Sequence, residues 1–485
     1  MVCTSQPLAS EAGLAILKKG GSAVDAAIAA NAVLSVVEPM MNGPGGDLFA
    51  IIWDEPNQQL QGLNASGRSP YDWNLDAAEK LGIKSIDSHS PLSWSVPGCV
   101  SGWNALSQRF GKLSFENLLE EASFYAREGF PVSPLIAANW RQIGSTQAST
   151  LIDAYTTEGS PPSCGEVFKN PGLAEFFEII VRDGFDSFYN GEIAERIVQF
   201  SKKHGGRFSM KDFEDHVSNW VDPVSANYRG YDVWELPPNG QGIAALQILN
   251  MLEEFDIQSL EPNSSEHLHL FLEAKKLAYE DRAVYYADMD FAEVPLNRLI
   301  SKEYARERAA LINPNKATQK VAPGRISGSS DTVYLTTADS EGNMVSFIQS
   351  IYHGWGSRWV VDGLGLILQN RGEMFSLSPN DRNKLEPHKR PFHTIIPGFV
   401  TQENRPVLSF GVMGGDFQPQ GHAQVLMNMI DFGLDPQQAG EQPRVMHSES
   451  STPMGRRSTG PGTVSFEHGI SDRVKQDLAE MGHKI

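Results

Sequence analysis

The sequence predicts a mixed fold, α/β or α+β layers around one core, on three observations. Helical apolar spacing alternates with short strand-like runs through the middle of the chain. From Gly328 onward strand-like runs dominate, separated by polar turns. Hydrophobic residues make up 40% and aromatics 9% of the 485 residues, enough apolar surface for a large core. No internal repeat or low-complexity linker interrupts the chain, so a single domain over residues 1–485 is expected.

The elements follow in order. Ser10 is placed to cap a first helix, Glu11 to Lys19, that stops at Gly20-Gly21; Ser22-Ala23-Val24-Asp25 has the form of a capping box for a second, alanine-rich helix. Met41-Asn42-Gly43-Pro44-Gly45-Gly46-Asp47 then reads as a loop entering a buried strand, Leu48 to Trp53. A phosphate-cradling loop is the weaker reading of those glycines, because such a loop follows a strand and opens a helix. Tyr228 to Leu236 is predicted as a strand, Pro237-Pro238-Asn239-Gly240 as a turn and Ile243 to Phe255 as a helix. Leu270, Ala274, Leu277 and Val284 recur at helical spacing. His267 and His269, two apart, face different sides of that helix and cannot chelate one ion together, so surface or capping roles are expected. After the polar stretch Gly328-Ser329-Ser330-Asp331 come a strand at Thr332 to Thr337, a turn at Asp339 to Asn343 and a strand at Met344 to Ile351. Further strands are predicted at Gly365 to Leu368, Thr394 to Val400 and Val407 to Val412, and a helix at Gly421 to Phe432.

Composition excludes several function classes. Lys+Arg number 40 against 59 Asp+Glu, a net charge of −19 that repels nucleic acid, and no long basic run makes a local exception. Cys3, Cys99 and Cys164 are too few and too scattered for a disulfide framework or a tetrahedral metal site, so free thiols and no metal or cofactor are expected. The longest uncharged window, 88 to 108, is full of Ser, Pro, Gly and Asn and does not suit a membrane span. Met1 to Ser10 carries no basic stretch followed by an apolar one, so a cytoplasmic location is expected, or a secreted or periplasmic one if a leader precedes this sequence.

Several motifs, in this order, carry a resemblance. They are Pro7-Leu8-Ala9-Ser10-Glu11-Ala12-Gly13, Gly20-Gly21-Ser22-Ala23-Val24-Asp25-Ala26-Ala27, Gly43 to Asp47, Asp331-Thr332 with Asp339-Ser340-Glu341-Gly342-Asn343, Lys389-Arg390-Pro391, and Gly414-Gly415. With them the sequence resembles the γ-glutamyltranspeptidase and cephalosporin-acylase family of N-terminal-nucleophile hydrolases over nearly its whole length. The resemblance implies an α+β fold, a four-layer αββα sandwich, made as a precursor that cuts itself before a catalytic threonine. Here that bond is Asp331-Thr332, giving a large subunit of residues 1–331 and a small one of residues 332–485. A threonine hydroxyl is a weak nucleophile, and cleavage frees its own α-amino group, which titrates near roughly 7.7 to 8.0, to act as base. The resemblance further makes Gly414-Gly415 the oxyanion hole and Ser350 the hydroxyl residue that helps position the nucleophile.

The sequence departs from the family at the substrate anchors. The arginine motif reads Ser66-Gly67-Arg68-Ser69-Pro70, with Ser66 at the anchor and Arg68 two residues away. The amine-binding aspartate is replaced by Met374, which cannot pair an ammonium group, and the serine pair by His393-Thr394. The segment from Leu377 to Pro387 is short for the family's lid. Arg371 and His393, with Thr394, Tyr352 and Arg68, are the candidate substrate-binding residues; a cationic or hydrogen-bonding pocket without an acidic partner suits an acyl group that ends in a carboxylate and lacks the α-amine. Against that stand scaffold roles, Arg371 bracing a loop and His393 a satisfied core histidine.

The expected activity is a self-processing threonine amidohydrolase or acyltransferase that cleaves γ-glutamyl or glutaryl-type amides through an acyl-enzyme. Its partners are a small amide or peptide, water or an amine acceptor, and its own two subunits, with a homodimer left open. A catalytically inactive binding protein on the same scaffold is the alternative, and a metal or nucleotide enzyme a distant third.

Overall fold

The structure, a computed structural model, describes residues 1–145, 148–319 and 330–485. Gly328 and Ser329 of the predicted polar loop lie outside those residues. Pairing and packing divide the chain into two units: Met1–Asp222, Ser329–Glu373 and Leu385–Pro391 form the first, and Pro223–Gly328, Met374–Lys384 and Phe392–Ile485 the second.

The first unit is built on a six-stranded antiparallel sheet in the order Val2–Cys3, Ser330–Ala338, Met344–His353, Asp47–Asp54, Gln59–Ala65, Asn219–Val221. Met344–His353 and Asp47–Asp54 are interior strands and read as near-continuous apolar runs, as strands covered on both faces do. The helix Ala23–Val37 has every one of its residues buried and packs on the sheet's strands. Its small alanine side chains permit that close approach. The predicted capping box is present: the Ser22 hydroxyl accepts from the Asp25 N–H at 3.1 Å, and the Asp25 carboxylate accepts from the Ser22 N–H at 2.9 Å. The first helix starts earlier than predicted, Pro7–Lys18, because Pro7 is set for a first helical turn and the Gln6 side chain caps it by accepting from the Leu8 N–H; Ser10 instead bonds Thr4 from within the helix.

The second unit carries a four-stranded antiparallel sheet in the order Arg405–Phe410, Gly398–Gln402, Tyr231–Glu235, Val224–Tyr228. The strand predicted at Tyr228 to Leu236 is one arm of a hairpin. Its two-residue turn, Arg229 at φ 50° and Gly230 at φ 88°, has the left-handed backbone that matches strand twist. The helix Ile243–Leu252 is buried at all ten positions and packs against Ser265–Tyr285 and Gln418–Ile430.

Two further expectations need correction. Residues 365–368 form no strand, only an isolated bridge from Ile367 to Val360, because the glycines at 363 and 365 take positive φ and break the extended run. His267 and His269 are not on the surface: both are buried, since the Ser265–Tyr285 helix is enclosed nearly all round. His267 does accept the Asn263 N–H, a capping contact, but His269 bonds His483 and the Asn313 carbonyl, each at 2.8 Å. Cys3 and Cys164 are exposed free thiols and Cys99 a buried one. Among the described residues no helix is long and apolar enough to cross a membrane.

Candidate active site

Thr332 sits near the start of the Ser330–Ala338 strand, buried. Its neighbour is the interior strand Met344–His353, and the register between them slips at this point: Gln349 faces Val333, but the next pair is Tyr352 with Asp331. Two residues, Ser350 and Ile351, therefore oppose one, Thr332. Such a bulge re-aims side chains at strand ends and is common beside active sites. On its other edge, among the described residues, the threonine strand pairs with Val2–Cys3 only at Thr336 and Thr337, leaving the Thr332 end uncovered by that strand.

The bulge is held by side chains. Ser350 accepts the Tyr352 N–H at 2.8 Å and an Arg371 N–H at 3.0 Å, while the Arg371 guanidinium lies 4.4 Å over the Tyr352 ring. Tyr352 takes φ +81°, a left-handed conformation costing roughly 1–3 kcal/mol in a side-chain-bearing residue and found mostly where function requires it. Burial lowers the Arg371 pKa to about 10, so it is still a cation at neutral pH. Ser350 also faces Asp47 across the sheet. That buried carboxylate accepts from the Gly67 and Gly98 N–H groups at 2.9 and 3.1 Å and from the Gln369 amide at 2.8 Å, tying three loops to the strand next to Met344–His353. Gly46, just before it, is pressed so close to the Ser350 carbonyl that a β-carbon there would lie 2.3 Å away. The glycine loop thus serves close packing of backbone on backbone.

Arg68 is nearly buried and donates to the His388 carbonyl at 3.3 Å; Ser66, at the anchor position, gives its hydroxyl to Asn64 at 2.7 Å and its carbonyl to Arg390 at 3.0 Å.

The second unit holds the remaining candidates. Gly414 and Gly415 take φ +118° and +54°, and the turn they form leads directly into the helix Gln418–Ile430, whose N-terminus is a positive dipole end. The Gly414 carbonyl accepts the Phe417 N–H at 2.9 Å, and neither the Gly414 nor the Gly415 N–H meets an acceptor among the described residues. Thr394 and His393 are buried; the Thr394 carbonyl accepts from Gln241 at 2.7 Å, the His393 N–H donates to Asn239 at 2.9 Å, and its Nδ1 accepts from Ile395 at 3.3 Å. Met374 is buried.

The structure thus links Tyr352 and Arg371 to Ser350, which lies opposite Thr332, and links Thr394 to Gly415 through Gln241. Asp47 and Gln241 were missed from sequence; Asp47 had a signal, the glycine run that delivers it to a strand, whereas a lone glutamine after a Pro-Gly turn has none.

One group of metal-ligand type exists among the described residues: ligand atoms of His269, Glu273 and His483 lie within 4.8 Å of one another. Glu273 is already paired with the buried Lys276 at 2.7 Å, which holds its carboxyl below the usual range against the opposing effect of burial. An ammonium in that position fills the cation's role, and the cluster fits an internal polar network better than a metal site.

The family comparison decides the relationship: the γ-glutamyltranspeptidase family model matches residues 9–485. The chain belongs to the γ-glutamyltranspeptidase family. This γ-glutamyltranspeptidase relative is 38% identical over 490 residues to the glutathione hydrolase-like YwrD proenzyme of Bacillus subtilis strain 168, spanning 100% of this chain and 91% of that one. It is 32% identical over 497 residues to the acylase ACY 1 proenzyme of Pseudomonas sp. strain SE83, spanning 100% and 87%. The crystal structure of cephalosporin acylase from Bacillus halodurans matches with TM-score 0.91 at 41% identity, over 100% of this chain and 88% of that one. The α+β fold of the N-terminal-nucleophile type is therefore the fold of this family member, and it is an enzyme, a hydrolase or acyltransferase made as a self-processed proenzyme.

Proposed function

We propose that the proenzyme cuts itself at Asp331-Thr332 into residues 1–331 and 332–485, and that the new N-terminal Thr332 is the nucleophile of an amidohydrolase. The observation that carries this is the strand bulge, which sets Ser350 and Ile351 opposite Thr332 and the strained Tyr352 opposite Asp331, the two residues of the bond to be cut. The Thr332 hydroxyl attacks the amide carbonyl while the threonine's α-amino group takes its proton. The oxyanion is stabilised by the Gly414 and Gly415 N–H groups, the role the family resemblance gives them. The tetrahedral intermediate collapses, the protonated amine leaves, and water in the same way releases the acyl group as a carboxylic acid.

The acyl group is a dicarboxylic chain without an α-amine, glutaryl rather than γ-glutamyl. Met374, buried where the family has its amine-binding aspartate, supports this, as does Ser66, whose hydroxyl is committed to Asn64. The relatives' names span both chemistries, glutathione hydrolase and acylase. Glutathione hydrolysis is the family default and the competing substrate class. Purified processed protein should release p-nitroaniline from glutaryl p-nitroanilide at least tenfold faster, in kcat/KM, than from the γ-glutamyl analogue; the reverse order would sink the substrate assignment.

A further inference from the structure

The Gly414-Gly415 turn cannot hold itself. Glycine has access to both signs of φ and loses the most conformational freedom on ordering, so two in succession at positive φ need outside restraint to keep their N–H groups aimed. In a planar peptide unit the C=O and N–H point in opposite directions, so whatever grips a carbonyl also orients the N–H of the next residue. The Gly414 carbonyl is gripped by the Phe417 N–H, which turns the Gly415 N–H the other way. The next carbonyl, that of Gly415, is gripped by the Gln241 side-chain amide at 2.8 Å, which fixes the Gly415-Asp416 peptide plane; with the planes on both sides of Gly415 held, its φ and ψ have little freedom left.

Gln241 is fully buried and uses every part of its amide. Its nitrogen donates to the Gly415 carbonyl and, at 2.7 Å, to the Thr394 carbonyl; its oxygen accepts from Arg282 at 2.5 Å. Rotating the amide by 180° would set its oxygen against two carbonyls and its NH2 against a guanidinium, so the network fixes one orientation. Arg282, also fully buried, reaches the same turn again through the Asp416 carboxylate at 3.0 Å, and the Tyr279 hydroxyl donates to the Asp416 carbonyl. The Arg282 guanidinium lies 3.8 Å over the Tyr279 ring, so the two donors brace one another.

We propose that Gln241, backed by Arg282 and Tyr279, is a positioning residue that anchors the far side of the Gly414-Gly415 turn, limits the rotation at Gly415 that would swing the Gly415 N–H, and through it affects the rate of the chemical step. This rests on the reading of those glycines as the oxyanion hole. A group that never touches substrate but controls N–H direction acts on the transition state, where the oxyanion develops, and leaves ground-state binding alone.

The test is Gln241→Glu, which keeps the oxygen that accepts from Arg282 and removes the paired N–H donors. On processed enzyme with glutaryl and γ-glutamyl p-nitroanilides, kcat should fall about 10- to 100-fold, with KM within about twofold of wild type. Affinity for butylboronic acid, which forms a tetrahedral adduct with the nucleophile, should fall with kcat/KM, while affinity for the product glutarate should not change. Tyr279→Phe, which deletes one donor to the same turn, should show the same pattern at smaller size and stands in if the Gln241 variant does not fold. Wild-type kcat and boronate affinity in the folded variants would overturn the proposal while leaving Thr332 catalysis intact, as would parallel losses in glutarate binding and KM. A wild-type protein that is uncut and inactive would overturn the underlying reading, and the proposal with it.

Discussion

The two units fix their candidate site residues by different physical means. In the first, Thr332 is held by a backbone ladder: a nine-residue strand paired along an interior neighbour, with one bulge to aim it. In the second, the Gly414-Gly415 turn has no ladder and is held by side-chain donors, from Gln241, Tyr279 and Arg282. A ladder is robust to single side-chain changes because many bonds share the load, whereas a side-chain network is coupled, and removing one member strands the others. The exception in the first unit is Asp47, where one carboxylate gathers three donors.

That exception gives the largest expected effect. Asp47→Ala takes from the Gly67 N–H its acceptor and leaves the Gly98 N–H and the Gln369 amide only the Gly46 and Val96 carbonyls, at 3.0 and 3.3 Å; it should lower stability by about 2–4 kcal/mol, measured by chemical denaturation of the first unit's fluorescence. A loss under 1 kcal/mol would show that the ladder alone carries the region.

Acid should separate the units next. Burial lowers the pKa of His267 to about 4 and those of His447 and His483 well below their ordinary value, all in the second unit; in the first, the strongly lowered histidine is His216, at about 3. Each folded-state pKa is depressed, so the stability these neutral rings contribute is present above about 6.5 and is lost progressively as pH falls toward the folded values. For His267 alone the full span is worth about 3 kcal/mol. Hydrogen-exchange protection factors, which divide out the intrinsic pH dependence of exchange, should therefore fall more between pH 7 and pH 4.5 in the Ser265–Tyr285 helix than in the Ala23–Val37 helix. An equal fall would contradict the assignment of acid sensitivity to these histidines.

Smaller changes sharpen the same contrast. Gly46→Ala should cost about 1–3 kcal/mol through overpacking against the Ser350 carbonyl and should slow self-cutting, seen by gel electrophoresis of a fresh lysate time course. Ser22→Ala, which takes the acceptor of the Asp25 N–H at 3.1 Å from a buried capping box, should cost about 1 kcal/mol, while Ser264→Ala, which loses a 3.3 Å bond from the His267 N–H at a half-buried position, should cost less. The order of those two thermal midpoints is the check.

The same division explains what could be read from sequence. The capping box at Ser22, the glycine loop before Asp47 and the paired strands around Asp339–Asn343 are local patterns, and each is present where the pattern put it. The hairpin turn at Arg229-Gly230 was missed because arginine at positive φ is not a turn signal. The Ser265–Tyr285 helix looked amphipathic, yet Glu273, Lys275, Lys276, Asp281 and Arg282 are all buried on it: Glu273 and Lys276 pair with one another, and Lys275, Asp281 and Arg282 are met by groups distant in sequence. Thr332 and the glycine pair were singled out as candidates by their motifs. Gln241 was not, since its significance lies entirely in three partners at positions 282, 394 and 415.

The central claim is that Thr332 is both the site of the cut and the nucleophile. Intact mass spectrometry of freshly purified wild-type protein beside Thr332→Ala tests it most directly. The wild type should give two fragments, one ending at Asp331 and one beginning at Thr332, and the variant a single uncut chain with no amidase activity. A folded wild type that stays uncut, or a Thr332→Ala chain that is still cut at that bond, would contradict the account.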